Sequence, residues 1–204
     1  MNRKLAATAL ALGAVLTLAA CGGDDTTSSS STASSAAPSG SATPASGEHN
    51  NADVMFAQGM IPHHAQAIEM SDLLLAKDGV DPAVEELAQD IKSAQAPEME
   101  QMTGWLVGWG EDVPSIESMG GLDTGGMDMG GMMSEEDMTA LEDASGEDAS
   151  GLFLEQMIVH HRSAVGMAEM ELEAGVNEDA KTLAKQIIES QTSEITTMTE
   201  LLGG

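Results

Sequence analysis

The sequence predicts an all-α fold, a four-helix bundle made of two repeated helical hairpins. One ground is an internal repeat. Phe56, Met60, Ile61, His63, His64, Ala67 and Met70 match Phe153, Met157, Ile158, His160, His161, Ala164 and Met167 in register. After a single deletion at the turn, Leu87, Ile91, Gln95, Glu98, Met102 and Leu106 match Leu183, Ile187, Gln191, Glu194, Met198 and Leu202. Chance does not place so many identities at one spacing, so the chain carries a duplicated unit. The other ground is periodicity. At about 100° per residue, Phe56, Met60, His63, Ala67, Met70 and Leu74 fall on one helical face, and the second copy repeats the stripe. Two hairpins with one apolar stripe per helix bury those stripes by packing on each other.

Residues 1–20 read as a lipoprotein signal peptide: basic Arg3 and Lys4, an apolar run, then Leu18-Ala19-Ala20 ahead of Cys21. Cys21, the single cysteine, is the expected lipidation site, which predicts a protein anchored to the extracytoplasmic face of the cell membrane. A mature chain of that kind has no free thiol, so packing alone holds it and any soft metal ligand must be methionine. Residues 21–50 are Ser-, Thr-, Ala- and Gly-rich and read as a disordered tether.

The folded part is expected to span 51–204: a first hairpin at 51–109, a Met/Gly-rich crossover at 110–150, and a second hairpin at 151–204. The turns are Asp78-Gly79-Val80-Asp81-Pro82 and Gly175-Val176-Asn177. In them Gly suits a left-handed C-terminal cap, Asp81 an N-cap and Pro82 a first helical position. Pro62 and Pro97 fall inside helical stretches and should kink or restart them. Ser134-Glu135-Glu136-Asp137 is a start signal for a short helix within the crossover.

Charge excludes several classes. Seven Lys and Arg stand against 34 Asp and Glu, a formal net charge of −27. Removal of the signal takes Arg3 and Lys4 with it, leaving five against 34, or −29. Such a surface repels phosphate backbones and anionic headgroups, so nucleic acid is not a partner and the membrane is reached only through lipid.

The chemistry-bearing residues lie on the repeated stripes. His63 and His160 point toward the bundle interior, with His64 and His161 about a quarter-turn away on the flanks. Glu98 and Glu194 sit on the apolar stripes of the partner helices, where a carboxylate is costly to bury unless paired or metal-bound. They could hydrogen-bond an imidazole or ligate directly. Imidazole with thioether suits Cu(I), with Cu(II) served by histidine and carboxylate, whereas zinc usually prefers Cys, His and carboxylate. The candidate metal set is therefore Met60, His63, His64, Met70, Met157, His160, His161 and Met167, with Glu98, Glu194, Met102 and Met198 behind them. Neither histidine pair carries the Glu-x-x-His of di-iron bundles, and no nucleophile–base–acid set appears, so the chain is not read as an enzyme. A second soft cluster, Met119, Met127, Met129, Met132, Met133 and Met138, occupies the crossover. It is similar to Met-rich segments that collect Cu(I), or else a low-complexity linker partly packed on the bundle. His49 is a tether residue that could join a Cu(II) site.

Phe-x-x-x-Met-Ile-x-His-His-x-x-Ala followed by Gln-x-x-Glu-x-x-x-Met-x-x-Trp-Leu resembles domain-of-unknown-function family 305, which includes CopM-like periplasmic copper-binding proteins. The resemblance covers Asp53 to Trp109 and Phe153 to Leu202. It implies a ferritin-like four-helix bundle and, for the CopM-like members, copper binding and buffering outside the cytoplasm. The second copy departs at Leu201-Leu202, where Trp-Leu is expected, and at Val159, where the first has Pro62. The functional expectation is a surface copper buffer or metallochaperone serving a copper-handling partner protein. The competing readings are a non-metal helical interaction module and a ferritin-like redox enzyme.

Overall fold

The computed structural model describes residues 47–115 and 131–203. The expected signal, lipidation site and most of the tether lie outside those residues, as do Met119, Met127 and Met129. The described residues are all-helical: α1 (Asn51–Leu75), α2 (Pro82–Trp109), α3 (Glu135–Asp143), α4 (Gly146–Ala174) and α5 (Glu178–Gly203). Helices α1 and α2 form one hairpin and α4 and α5 the other, and the hairpins pack chiefly through α1 against α4. This is the four-helix bundle, with α3 lying against α1 and α4. None of these helices is long and apolar enough to cross a membrane.

Local chemistry fixes the ends. Asn50 caps α1 by accepting from the Ala52 and Asp53 amides, while Asp53 takes the Asn50 N–H at 2.6 Å, a reciprocal capping box. Gly79 turns the first hairpin at φ +79°, Asp81 accepts from the Ala83 amide, and Pro82 opens α2. Gly110 closes α2 in the left-handed conformation, φ +80°. Ser134 and Asp137 form the capping box that starts α3.

Three expectations need correction. Helices α1 and α2 run on through Pro62 and Pro97 without restarting, because losing one backbone hydrogen bond is tolerable in helices held by so much packing. Helix α4 begins at Gly146, ahead of the boundary expected at 151. Gly175 is extended (φ −70°), not left-handed. The glycine leaves room for a buried carboxyl, since a Cβ there would lie 2.1 Å from Glu171 Oε1 and force it to shift. Gly175→Ala should therefore displace a buried carboxyl and lower the melting temperature, by about 1–3 kcal/mol of stability. Calorimetry of the variant checks this, and an unchanged melting temperature would contradict it.

The core divides in two. One apolar cluster gathers Phe56, Met60, Ile61, Met102, Trp105, Ala164 and Ile187. The other gathers Ala67, Met70, Ile91, Phe153, Met157, Ile158 and Met198. Each long helix passes from one cluster to the other, and the change falls at equivalent positions of the two repeats. Along α1 it falls at His63 and His64, along α2 between Ile91 and Met102, along α4 at His160 and His161, and along α5 between Ile187 and Met198. The residues at those changes form a polar layer across the bundle.

Candidate metal centre

Four histidines enter that layer, two from α1 and two from α4, and all are at most 1% exposed. The antiparallel packing of α1 on α4 brings His63 and His160 face to face, ring centroids 3.7 Å apart and planes tilted by 37°. Among the described residues neither ring makes a side-chain hydrogen bond of normal geometry, and only the His63 backbone lies near enough to the His160 ring to favour its protonated form weakly. Burial first, and then the neighbouring imidazoles, hold both rings well below the ordinary histidine value. They are therefore neutral at neutral pH, each with one nitrogen lone pair available to a ligand-seeking cation.

His64 and His161, expected on the flanks, are fully buried, because α1 and α4 are covered on more than one side. Each is held by the carboxylate of its own hairpin. His64 Nε2 lies 2.7 Å from Glu98 Oε2, and His161 Nε2 lies 2.6 Å from Glu194 Oε2. Glu98 and Glu194 thus serve the second histidine of each pair, not the inward-facing first. Their side chains keep 18% and 19% exposure, so each pair reaches from the interior to the surface. The remaining nitrogen, Nδ1, is unpartnered in both His64 and His161.

The methionines separate into two groups. Met60 and Met157 stand one turn before His63 and His160, while Met102 and Met198 stand one turn beyond Glu98 and Glu194. All four are fully buried and border the polar layer. Met70 and Met167 stand seven residues beyond the histidines, about 10 Å along the helix axis. Met70 is packed in the second cluster, and Met167 is partly buried against the first. Of the crossover methionines within the described residues, Met133 and Met138 pack on the second cluster. Gln66 anchors this end of the crossover by a two-point contact with the Met133 backbone, 2.8 Å for each bond. His49 stacks on Trp109 at 4.6 Å, away from the layer.

Sequence reasoning passed over two residues of the layer. Gln95 and Gln191, one turn before Glu98 and Glu194, are each 2% exposed. Their side chains carry unpartnered polar atoms: Oε1 and Nε2 of Gln95, and Oε1 of Gln191. Their signal was present in the repeat, which aligns one with the other. It also passed over the contact of Asp53 with Glu171, which ties the start of α1 to the α4–α5 turn.

Among the described residues, no three His, Cys, Asp or Glu side chains converge closely enough to hold a metal ion. What the layer offers is a pair of neutral imidazoles with thioethers above and below. That donor set fits a soft monovalent ion better than a hard divalent one, which would want carboxylate or water oxygens.

The family pattern described as "Domain of unknown function (DUF305)" matches residues 53–202. A DUF305 protein from Streptomyces coelicolor has a similar crystal structure, with 38% sequence identity and a TM-score of 0.66, over 74% of this chain and 92% of that one. A DUF305 fragment from Deinococcus radiodurans is 32% identical at a TM-score of 0.67, over 77% and 99%. CopM in its Cu(II)-bound form is 31% identical at a TM-score of 0.62, over 74% and 95%. CopM has also been solved in Cu(I)-bound and silver-bound forms. No curated protein matches the chain significantly.

Proposed function

Because this chain belongs to the DUF305 family, we propose that it is an extracytoplasmic, lipid-anchored protein that binds and buffers copper, favouring Cu(I), or passes it to a copper-handling partner. The observation that carries the reading is the His63–His160 pair: two buried, neutral rings in contact, whose nitrogens make no hydrogen bond of normal geometry among the described residues. Burying an imidazole without a partner is unfavourable, so a structural role alone leaves the arrangement unexplained. A cation taken up by the lone pairs accounts for it. His63 and His160 would be the first ligands, Met60 and Met157 the nearest thioethers, and His64 and His161 the reserve imidazoles oriented by Glu98 and Glu194. The anchoring rests on Cys21 and the leader before it. The similarity to CopM, solved with both copper states and silver, supports the choice of metal.

An anaerobic competition titration against a Cu(I) chelator of known affinity tests this. The wild-type chain should withdraw Cu(I) from the chelator, and the variant with His63, His64, His160 and His161 all changed to Ala should not. Equal competition by both, or by neither, would refute the proposal. The non-metal reading draws on the two His–Glu bonds, which are what a network fixing helix register would show. It requires that Cu(I) leave the melting temperature unchanged.

A further inference from the structure

The polar layer contains a matched set of unsatisfied groups. A neutral imidazole has one N–H to donate and one lone pair to give. If the lone pairs of His63 and His160 go to a metal, two N–H groups are left in a dry interior and need acceptors. Two unpartnered acceptors lie in the same layer, the amide oxygens of Gln95 and Gln191. There is one per hairpin, at equivalent positions of the repeat, each on the helix that packs beside its histidine helix. The carboxylates Glu98 and Glu194 do not fill this role, being engaged by His64 and His161.

Resting on the metal-binding reading above, we infer that Gln95 and Gln191 are positioning residues of the centre, whose amide oxygens accept the His63 and His160 N–H when the other ring nitrogen holds the metal. A ligating histidine is normally oriented by such a partner on its second nitrogen, which fixes the tautomer and raises ligand basicity. Without metal these amide oxygens remain unbonded, and the layer is held in a state that uptake completes. Function and apo stability therefore pull in opposite directions at these two sites.

That opposition is the test. The double variant Gln95→Leu, Gln191→Leu is compared with wild type in two measurements. One is the melting temperature without metal, and the other is Ag(I) and Cu(I) affinity by chelator competition. The double variant should melt no lower than wild type, because it removes buried amide oxygens that lack a partner. Its metal affinity should fall about 10–100-fold. Gln95→Glu, Gln191→Glu keeps an acceptor at both places and should retain most of the affinity. If the leucine variant melts lower while affinity holds, the amides are a structural network and the inference is wrong. Should the double variant fail to fold, the single variants report the same two quantities. A wild-type chain that binds neither ion removes the underlying reading and this inference with it. Wild-type binding with unchanged variant affinity removes only this inference.

Discussion

Glu171→Gln is expected to abolish most of the loss of stability that the protein suffers between mildly acidic pH and pH 8. Glu171 is 1% exposed, and neither of its oxygens receives a hydrogen bond. Burial, and then the hydrogen bond and negative charge of Asp53, push its carboxyl up to about 8. Asp53 goes the other way. Burial opposes its ionisation, but donation from the Asn177, Asn50 and Val176 amides holds its carboxyl below the ordinary value. Of the two carboxyls, Glu171 is thus the one driven toward its protonated form. The Lys181 charge pulls the Glu171 carboxyl the other way, more weakly. In the unfolded chain Glu171 releases its proton in the ordinary carboxylate range. Between there and about pH 8 the native state holds a proton that the unfolded state has lost, so stability falls as pH rises. The slope is up to about 1.4 kcal/mol per pH unit. Asp53 adds the opposite trend at the acid end, where protonation removes its contribution. The wild-type melting temperature should therefore peak near pH 4, between the ordinary Asp and Glu values, and decline toward pH 8. In Glu171→Gln, which has no carboxyl to titrate there, the decline should flatten. Parallel declines in the two proteins would show that Glu171 does not hold the proton.

A second large effect is expected at the ring pair. His63→Leu with His160→Leu should raise the stability of the metal-free protein, by about 1–3 kcal/mol for each unbonded ring replaced. Buried polar groups lacking partners are commonly improved upon by apolar ones of similar volume. The same double variant should lose the thermal upshift that Ag(I) gives wild type. A ligand bound only by the native state stabilises by roughly 4 kcal/mol at a thousand times its dissociation constant. Thermal melts of both proteins, with and without Ag(I), measure both effects together. Lower stability of the leucine variant would mean that the ring contact itself holds the fold together, and the account of the layer would need to change.

Much of this was legible before the structure. The repeat and the stripes predicted four helices in two hairpins, and Ser134 and Asp81 marked helix starts that the structure bears out. Burial at His63 and His160 followed from their place on the stripes. The flank positions were misread because periodicity ranks residues on one helix without knowing how many neighbours that helix has. Helices α1 and α4 each pack on three others, so His64 and His161 are interior as well. Pairing across the bundle was also beyond a one-dimensional pattern. That Glu98 serves His64 depends on the register of the hairpin, and that His63 meets His160 depends on how the two hairpins face. Gln95 and Gln191 were aligned and still overlooked, because a glutamine on an apolar stripe shows its significance only when its partners prove to be missing.

The central claim is that the layer between the two apolar clusters, and not the crossover or the tether, is where the metal sits. A crystal structure of the protein loaded anaerobically with Cu(I), using anomalous scattering at the copper edge, tests it most directly. The account predicts an anomalous peak in the layer, bonded to His63 and His160, with the Gln95 and Gln191 amides turned to their remaining nitrogens. Copper found only at His49 or on the crossover methionines, with the His63 and His160 rings unchanged, would contradict it.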